Sequence, residues 1–144
     1  MAPSADHQRV VDANAAFYEA LTNRDMAGME RVWFPADWVE CVHPGMGALR
    51  GWDAVRDGMA MVFGAAGTLM VAATDVHVRL LGDVAWVGCE EQIATRNDGR
   101  LVSSVAHATN VFVMHDDAWR LVVHHASAVP FLTPPLPEDG MLVN

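Results

Sequence analysis

Histidine is the side chain here best suited to chemistry near neutral pH, and seven are present in 144 residues. His7, His43, His77, His107 and His115 show no H-x-H or H-x3-H spacing of the kind that brings two imidazoles onto one metal. His124 and His125 are adjacent in a strand-like segment, where neighbours face opposite ways, so both cannot ligate one ion. No metal is therefore expected. Glu90, Glu91 and Gln92 are a second polar run. Strand alternation turns either Glu90 and Gln92 inward or Glu91 alone, and an enclosed carboxylate gains a raised pKa suited to acid–base work. Cys41 and Cys89 form no C-x-x-C pair and read as buried free thiols. No G-x-G-x-x-G, Walker loop or G-x-S-x-G elbow occurs, so no nucleotide cofactor or serine nucleophile is expected.

The elements that must position these residues divide the chain into a helical half and a strand half. From Ser4 to Leu21, Val10, Ala13, Phe17 and Leu21 recur at three- and four-residue steps, with Ser4 as N-cap. Asp25 caps a short second helix whose buried stripe is Met26, Met29, Val32 and Trp33, and Pro35 stops it. Trp38 to His43 alternates as a strand, and Pro44-Gly45-Met46-Gly47 turns the chain. After Gly51 a third helix runs to about Phe63, with Gly64 as its C-terminal cap. Beyond Leu69 the period becomes two. Leu69 to Leu81, Val84 to Arg96, Leu101 to His115 and Ala118 to Val129 are strands joined by turns too short for anything but antiparallel pairing. Residues 1–129 form one α+β domain, and the segment 130–144, with four prolines, reads as an extended arm.

Composition narrows the function classes. Apolar residues are 52% and charged residues 19%, which suits a folded core, and no apolar run is long enough to span a bilayer. Asp and Glu outnumber Arg and Lys 18 to 9, against nucleic acid as a partner. The first residues lack the basic start and apolar stretch of a secretion signal, so a cytoplasmic location is the default expectation. In the third long strand both faces are largely apolar: Ala106, Ala108, Asn110, Phe112 and Met114 on one, Val105, His107, Thr109, Val111 and Val113 on the other. One face packs on the helices. The other calls for a cover, and a second copy of the chain, making a homodimer through the outer sheet face, is the simplest one.

The closing segments carry a family resemblance. Leu80-Leu81-Gly82-Asp83-Val84-Ala85, Thr109-Asn110-Val111-Phe112 and Trp119-Arg120-Leu121-Val122-Val123-His124-His125-Ala126-Ser127 resemble the nuclear transport factor 2 (NTF2)-like superfamily, with its SnoaL-like branch nearest. Leu21, Asp25 and Gly51-Trp52-Asp53-Ala54-Val55 agree with the same pattern, and the likeness covers roughly Val10 to Ser127. The last strands are also similar to the association domain of calcium/calmodulin-dependent kinase II. The resemblance implies a cystatin-like cone: three N-terminal helices on a curved antiparallel sheet, with an internal, mostly apolar pocket.

The steroid-isomerase branch of that superfamily implies specific residues. Its catalytic base, which precedes a proline, falls on His43, and its oxyanion-hole aspartate falls on Asn110. Its first-helix tyrosine falls on Phe17, which has no hydroxyl, while Tyr18 points about 100° away around a helix. His43 would act as base and Asn110 would donate to a developing enolate. Likeness to the kinase association domain selects Gln92 and Asn110 as inward, and Glu90 with them. It also marks His125 and Ser127 as a recurring pair on the face carrying Trp119. Trp38 and Trp86 are expected nearest an apolar ligand. Two functions follow as expectations. One is a small-molecule pocket catalysing an isomerase, cyclase or lyase step by proton transfer; the other is a non-catalytic ligand-binding or assembly module.

Overall fold

In the computed structural model residues 4–130 are described. The three helices form where the apolar spacing and caps place them. α1 (Ala5–Thr22) starts at Ser4, whose hydroxyl accepts from the His7 amide at 3.1 Å. α2 (Met26–Val32) starts at Asp25, whose carboxylate accepts from the Gly28 amide at 3.0 Å. α3 (Trp52–Gly64) includes Gly64 as its last residue and is capped by Ala65 rather than by the glycine. Between α2 and α3 lie two short strands, β1 (Glu40–Val42) and β2 (Leu49–Arg50).

The second half is a meander of long strands: β3 (Thr68–Leu81), β4 (Val84–Asn97), β5 (Arg100–His115) and β6 (Ala118–Ala128). They form one six-stranded sheet in the order β2-β1-β6-β5-β4-β3. Asp98 and Gly99 at the β4–β5 turn, and Asp116 and Asp117 at β5–β6, all have positive φ, as tight hairpins of right-twisted strands demand. The four long strands pair antiparallel as expected, and the short β1 makes the sheet as a whole mixed. β1 pairs with β6 in parallel, through Cys41 opposite His124. β1 reaches the free edge of β6 from the helical half of the chain, so no hairpin dictates its direction.

The inner sheet face packs on α1, and Phe17, Met29, Trp33, Phe112 and Leu121 are fully buried between the layers. On the outer face Val105, Val111 and Val113 are half-buried while His107 and Thr109 are exposed, so this face is more polar than its valines suggest. Two bulges interrupt the register. One lies between Thr74 and His77 of β3, and the other makes Val122 an extra residue in β6, since Val111 pairs with Val123 and Phe112 with Leu121. Among the described residues no helix is long and apolar enough to cross a membrane. The proline-rich arm lies outside the described residues beyond Pro130.

The α3–β3 junction turns on Gly67, whose φ is +87° and whose carbonyl, like that of Phe63, accepts from the Arg24 guanidinium. A Cβ there would run into the Arg96 carbonyl oxygen. Gly67→Ala should therefore cost about 2 kcal/mol or more in urea unfolding, through backbone strain and steric conflict together. A change within 0.5 kcal/mol would contradict this account.

Candidate active site

Four elements send polar side chains into an otherwise apolar interior. α1 contributes Asn14 and Tyr18, one helical turn apart on the same face. β4 contributes Cys89 and Glu91, β5 contributes Asn110, and β6 contributes His124; all six of these residues are buried. Most of their polar atoms pair with one another. Asn110 Nδ2 donates to Asn14 Oδ1 at 2.8 Å and to the Tyr18 hydroxyl at 3.1 Å. That leaves Asn110 Oδ1 as the acceptor for His124 Nδ1, 2.6 Å away. The Tyr18 hydroxyl is 3.4 Å from Cys89 Sγ.

The chain of hydrogen bonds stops at two atoms. His124 Nε2 and Glu91 Oε2 face each other at 3.7 Å, beyond hydrogen-bond length, and among the described residues neither has a partner. Burial dominates their ionisation. Desolvation pushes the Glu91 carboxyl up, with the Tyr18 hydroxyl partly opposing. Desolvation, with His43 and His125 adding to it, takes His124 down to about 3. Both groups are therefore held towards their neutral forms.

A cleft of about 300 Å³ opens onto this network. Its walls include Leu21 of α1, Val62 of α3, and Val71 and Ile93 of the sheet, with His43 and Glu91 as its ionisable groups. His43 sits just after β1, its ring centroid 5.4 Å from that of His124 and its Nε2 3.5 Å from Cys41 Sγ. Burial lowers its pKa, so it is a neutral base at pH 7. Burial pushes the Cys41 thiol up to about 12, which removes it as a nucleophile. The sequence contains no lysine, which excludes Schiff-base chemistry by a lysine side chain. A further surface depression of about 420 Å³, lined by Pro35, Asp37 and Arg50, adjoins none of these buried groups.

His43 and Asn110 thus lie on one side of the sheet, linked through His124, while other expected positions fall elsewhere. Glu90 is half-buried and Gln92 exposed on the outer face; the inward residue is Glu91. The β4–β5 turn holds the reason, because Asn97 opposite Arg100 places Val87 opposite Asn110 and Glu91 opposite Ala106. An inward Asn110 therefore requires an inward Glu91. His125 and Ser127 are exposed too, with His124 and Ala126 buried in their place. Strict alternation from Trp119 would have turned His125 inward, but the extra residue Val122 reverses the parity. Trp38 lies in a turn before β1 at 59% exposure, against Phe34, and Trp86 is 41% exposed on the outer face, so neither ring lines the cleft. Phe17 is buried with its ring 4.8 Å from His124, and Tyr18 supplies the hydroxyl that Phe17 lacks. Both fit because the buried face of α1 is broad enough to include adjacent residues. Asn14 and His124 were the functional candidates that spacing did not single out.

A family model described as a SnoaL-like domain matches residues 10–131. A candidate dehydratase of the NTF2-like family from Streptomyces avermitilis is 37% identical, with a TM-score of 0.82 over 88% of this chain and 99% of that one. A candidate calcium/calmodulin-dependent protein kinase type II association domain from Thiobacillus denitrificans is 36% identical, with a TM-score of 0.69 over 81% of this chain and 92% of that one. The F-box protein SKIP8 of Arabidopsis thaliana is 26% identical over 87% of this chain, which spans about half (52%) of that relative's length.

The buried ionisable groups set opposite pH slopes on stability. His124 has a folded pKa of about 3, so between about 6.5 and 3 the unfolded chain takes up a proton that the native state refuses. Stability should fall across that window by on the order of a few kcal/mol, and His124→Gln should flatten the slope. Glu91, with its raised pKa, acts the other way: stability is lost as pH rises from the ordinary carboxylate value through the folded one. Melting temperatures between pH 3 and 8 for wild type, H124Q and E91Q would measure both slopes. A slope between pH 6.5 and 3 that is unchanged in H124Q would contradict the assignment.

Proposed function

This chain belongs to the SnoaL-like family, with the NTF2-like, cystatin-like α+β fold, and we propose that it is a small-molecule lyase of the dehydratase type, working by acid–base proton transfer. The observation that carries the reading is a buried carboxyl, Glu91, its pKa raised by burial, at an apolar cleft that also presents a neutral imidazole, His43. An elimination needs a proton donor and a proton acceptor at one site, and these two side chains are suited to those roles. His43 takes the proton from a carbon next to a carbonyl, the C–O bond breaks, and Glu91 gives its proton to the departing oxygen. Return of the proton from the His43 imidazolium to the Glu91 carboxylate resets the site. The apolar walls suit an uncharged organic substrate, since among the described residues no arginine lines the cleft to meet a phosphate or carboxylate. Likeness to the Streptomyces avermitilis candidate dehydratase supports the same reaction class.

The likeness to the Thiobacillus denitrificans association domain, at 36% identity, favours a second reading, in which the domain serves assembly. The two are compatible if the outer sheet face joins two copies and the cleft opens on the other side. Val105, Val111 and Val123 would form the apolar centre of such a homodimer, with Thr109 and His125 around it. Light scattering at micromolar concentration should give twice the 15.6 kDa chain mass. A monomer would remove the outer-face dimer.

Turnover tests the first reading directly. Uncharged β-hydroxy ketones should be converted to enones, followed by ultraviolet absorbance, with kcat/KM rising as His43 loses its proton and falling as Glu91 loses its own. Glu91→Gln and His43→Gln should each lower kcat by about 100-fold or more. Wild-type rates in both variants would sink the proposal.

A further inference from the structure

The geometry points to a hydroxyl-binding subsite between Glu91 Oε2 and His124 Nε2. The inference starts from the Asn110 amide. Both hydrogens of Nδ2 are committed, to Asn14 Oδ1 and to the Tyr18 hydroxyl, so Oδ1 faces His124 as an acceptor. His124 must then carry its proton on Nδ1, and Nε2 is left with a lone pair. Asn110 is thus a positioning residue that fixes the tautomer of a histidine on the neighbouring strand.

The opposing group has the complementary character. The Glu91 side chain is 3% exposed, and among the described residues no arginine forms an ion pair with it, so burial without a cation favours its protonated, donor form. Its Oε2 and His124 Nε2 are both buried and unpartnered at 3.7 Å. Glu91 also lines the cleft, and the 3.7 Å separation fits an oxygen held about 2.8 Å from each atom. That oxygen must accept from Glu91 and donate to His124. A hydroxyl does both. A ketone carbonyl can only accept, and leaves the imidazole lone pair facing another lone pair; a hydrocarbon satisfies neither group.

This deepens the dehydratase reading and rests on it for its chemical use: the bound hydroxyl is the leaving group. Glu91 transfers its proton to that oxygen as the C–O bond breaks with its electron pair, and the oxygen departs as water, still donating to His124 Nε2. The carbon-bound proton goes to His43, as above, so protons and electrons balance without a further reactant.

Binding of three matched probes, 1-indanol, 1-indanone and indane, separates the possibilities in titration calorimetry or ligand-observed NMR. The alcohol should bind about 10-fold or more tightly than the ketone and the hydrocarbon. Asn110→Leu should abolish that preference, because the histidine is then free to change tautomer. Should that variant not fold, the ring ¹⁵N shifts of His124 in the unmodified protein still decide: they should report a protonated Nδ1 and a bare Nε2. Equal affinity for the three probes, or a protonated Nε2, would overturn the subsite. Preference for the alcohol without turnover of any β-hydroxy ketone would retain the subsite and remove the dehydratase reading.

Discussion

A single amide, that of Asn110, holds the interior together. An asparagine at 0% exposure is tolerable only if its donors and acceptor are all met, and meeting them ties α1 to β5 and β5 to β6. Without those partners Asn14, Tyr18 and His124 would each bring an unpaired polar group into a core otherwise made of Phe17, Met29, Phe112 and Leu121. Helix position, strand register and imidazole orientation are therefore not independent. Each is fixed by the same hydrogen bonds, in a low-dielectric surrounding where a misplaced partner is costly.

That constraint explains how neutral acid and neutral base coexist. A carboxyl and an imidazole close together in water would exchange a proton and form an ion pair. Here the desolvation of both charged forms opposes the transfer, and the neighbouring His43 and His125 add to the penalty on an imidazolium at His124. Both members are shifted towards their neutral forms by what surrounds them. This is a useful state for elimination chemistry, because an acid that has already lost its proton has nothing to give.

Much of the fold was legible in the sequence because it is written locally. Ser4 and Asp25 cap helices in the way their side chains allow, and the paired turn residues at 98–99 and 116–117 pin the hairpins. The site was legible only where it depends on one strand, as with Asn110. The choice between Glu90 and Glu91 required two strands to be read together, and the Asp98-Gly99 turn contained the answer once Asn110 faced inward. His124 could not be reached that way. The bulge at Val122 depends on how β6 packs against β5, and no residue type in Leu121-Val122-Val123 announces it. Trp38 and Trp86 misled for a related reason: ring size says a residue wants cover, not on which face it will find it.

The bulge also bears on how such sites diversify. With two histidines side by side, the extra residue at Val122 selects which imidazole enters the interior and which meets solvent. A one-residue deletion upstream in β6 would exchange them, and every other side chain from there to the strand's end, with no substitution at either histidine. Among related chains, an alignment column holding histidine is thus no guarantee of a shared inner residue; the gap beside it can decide the chemistry.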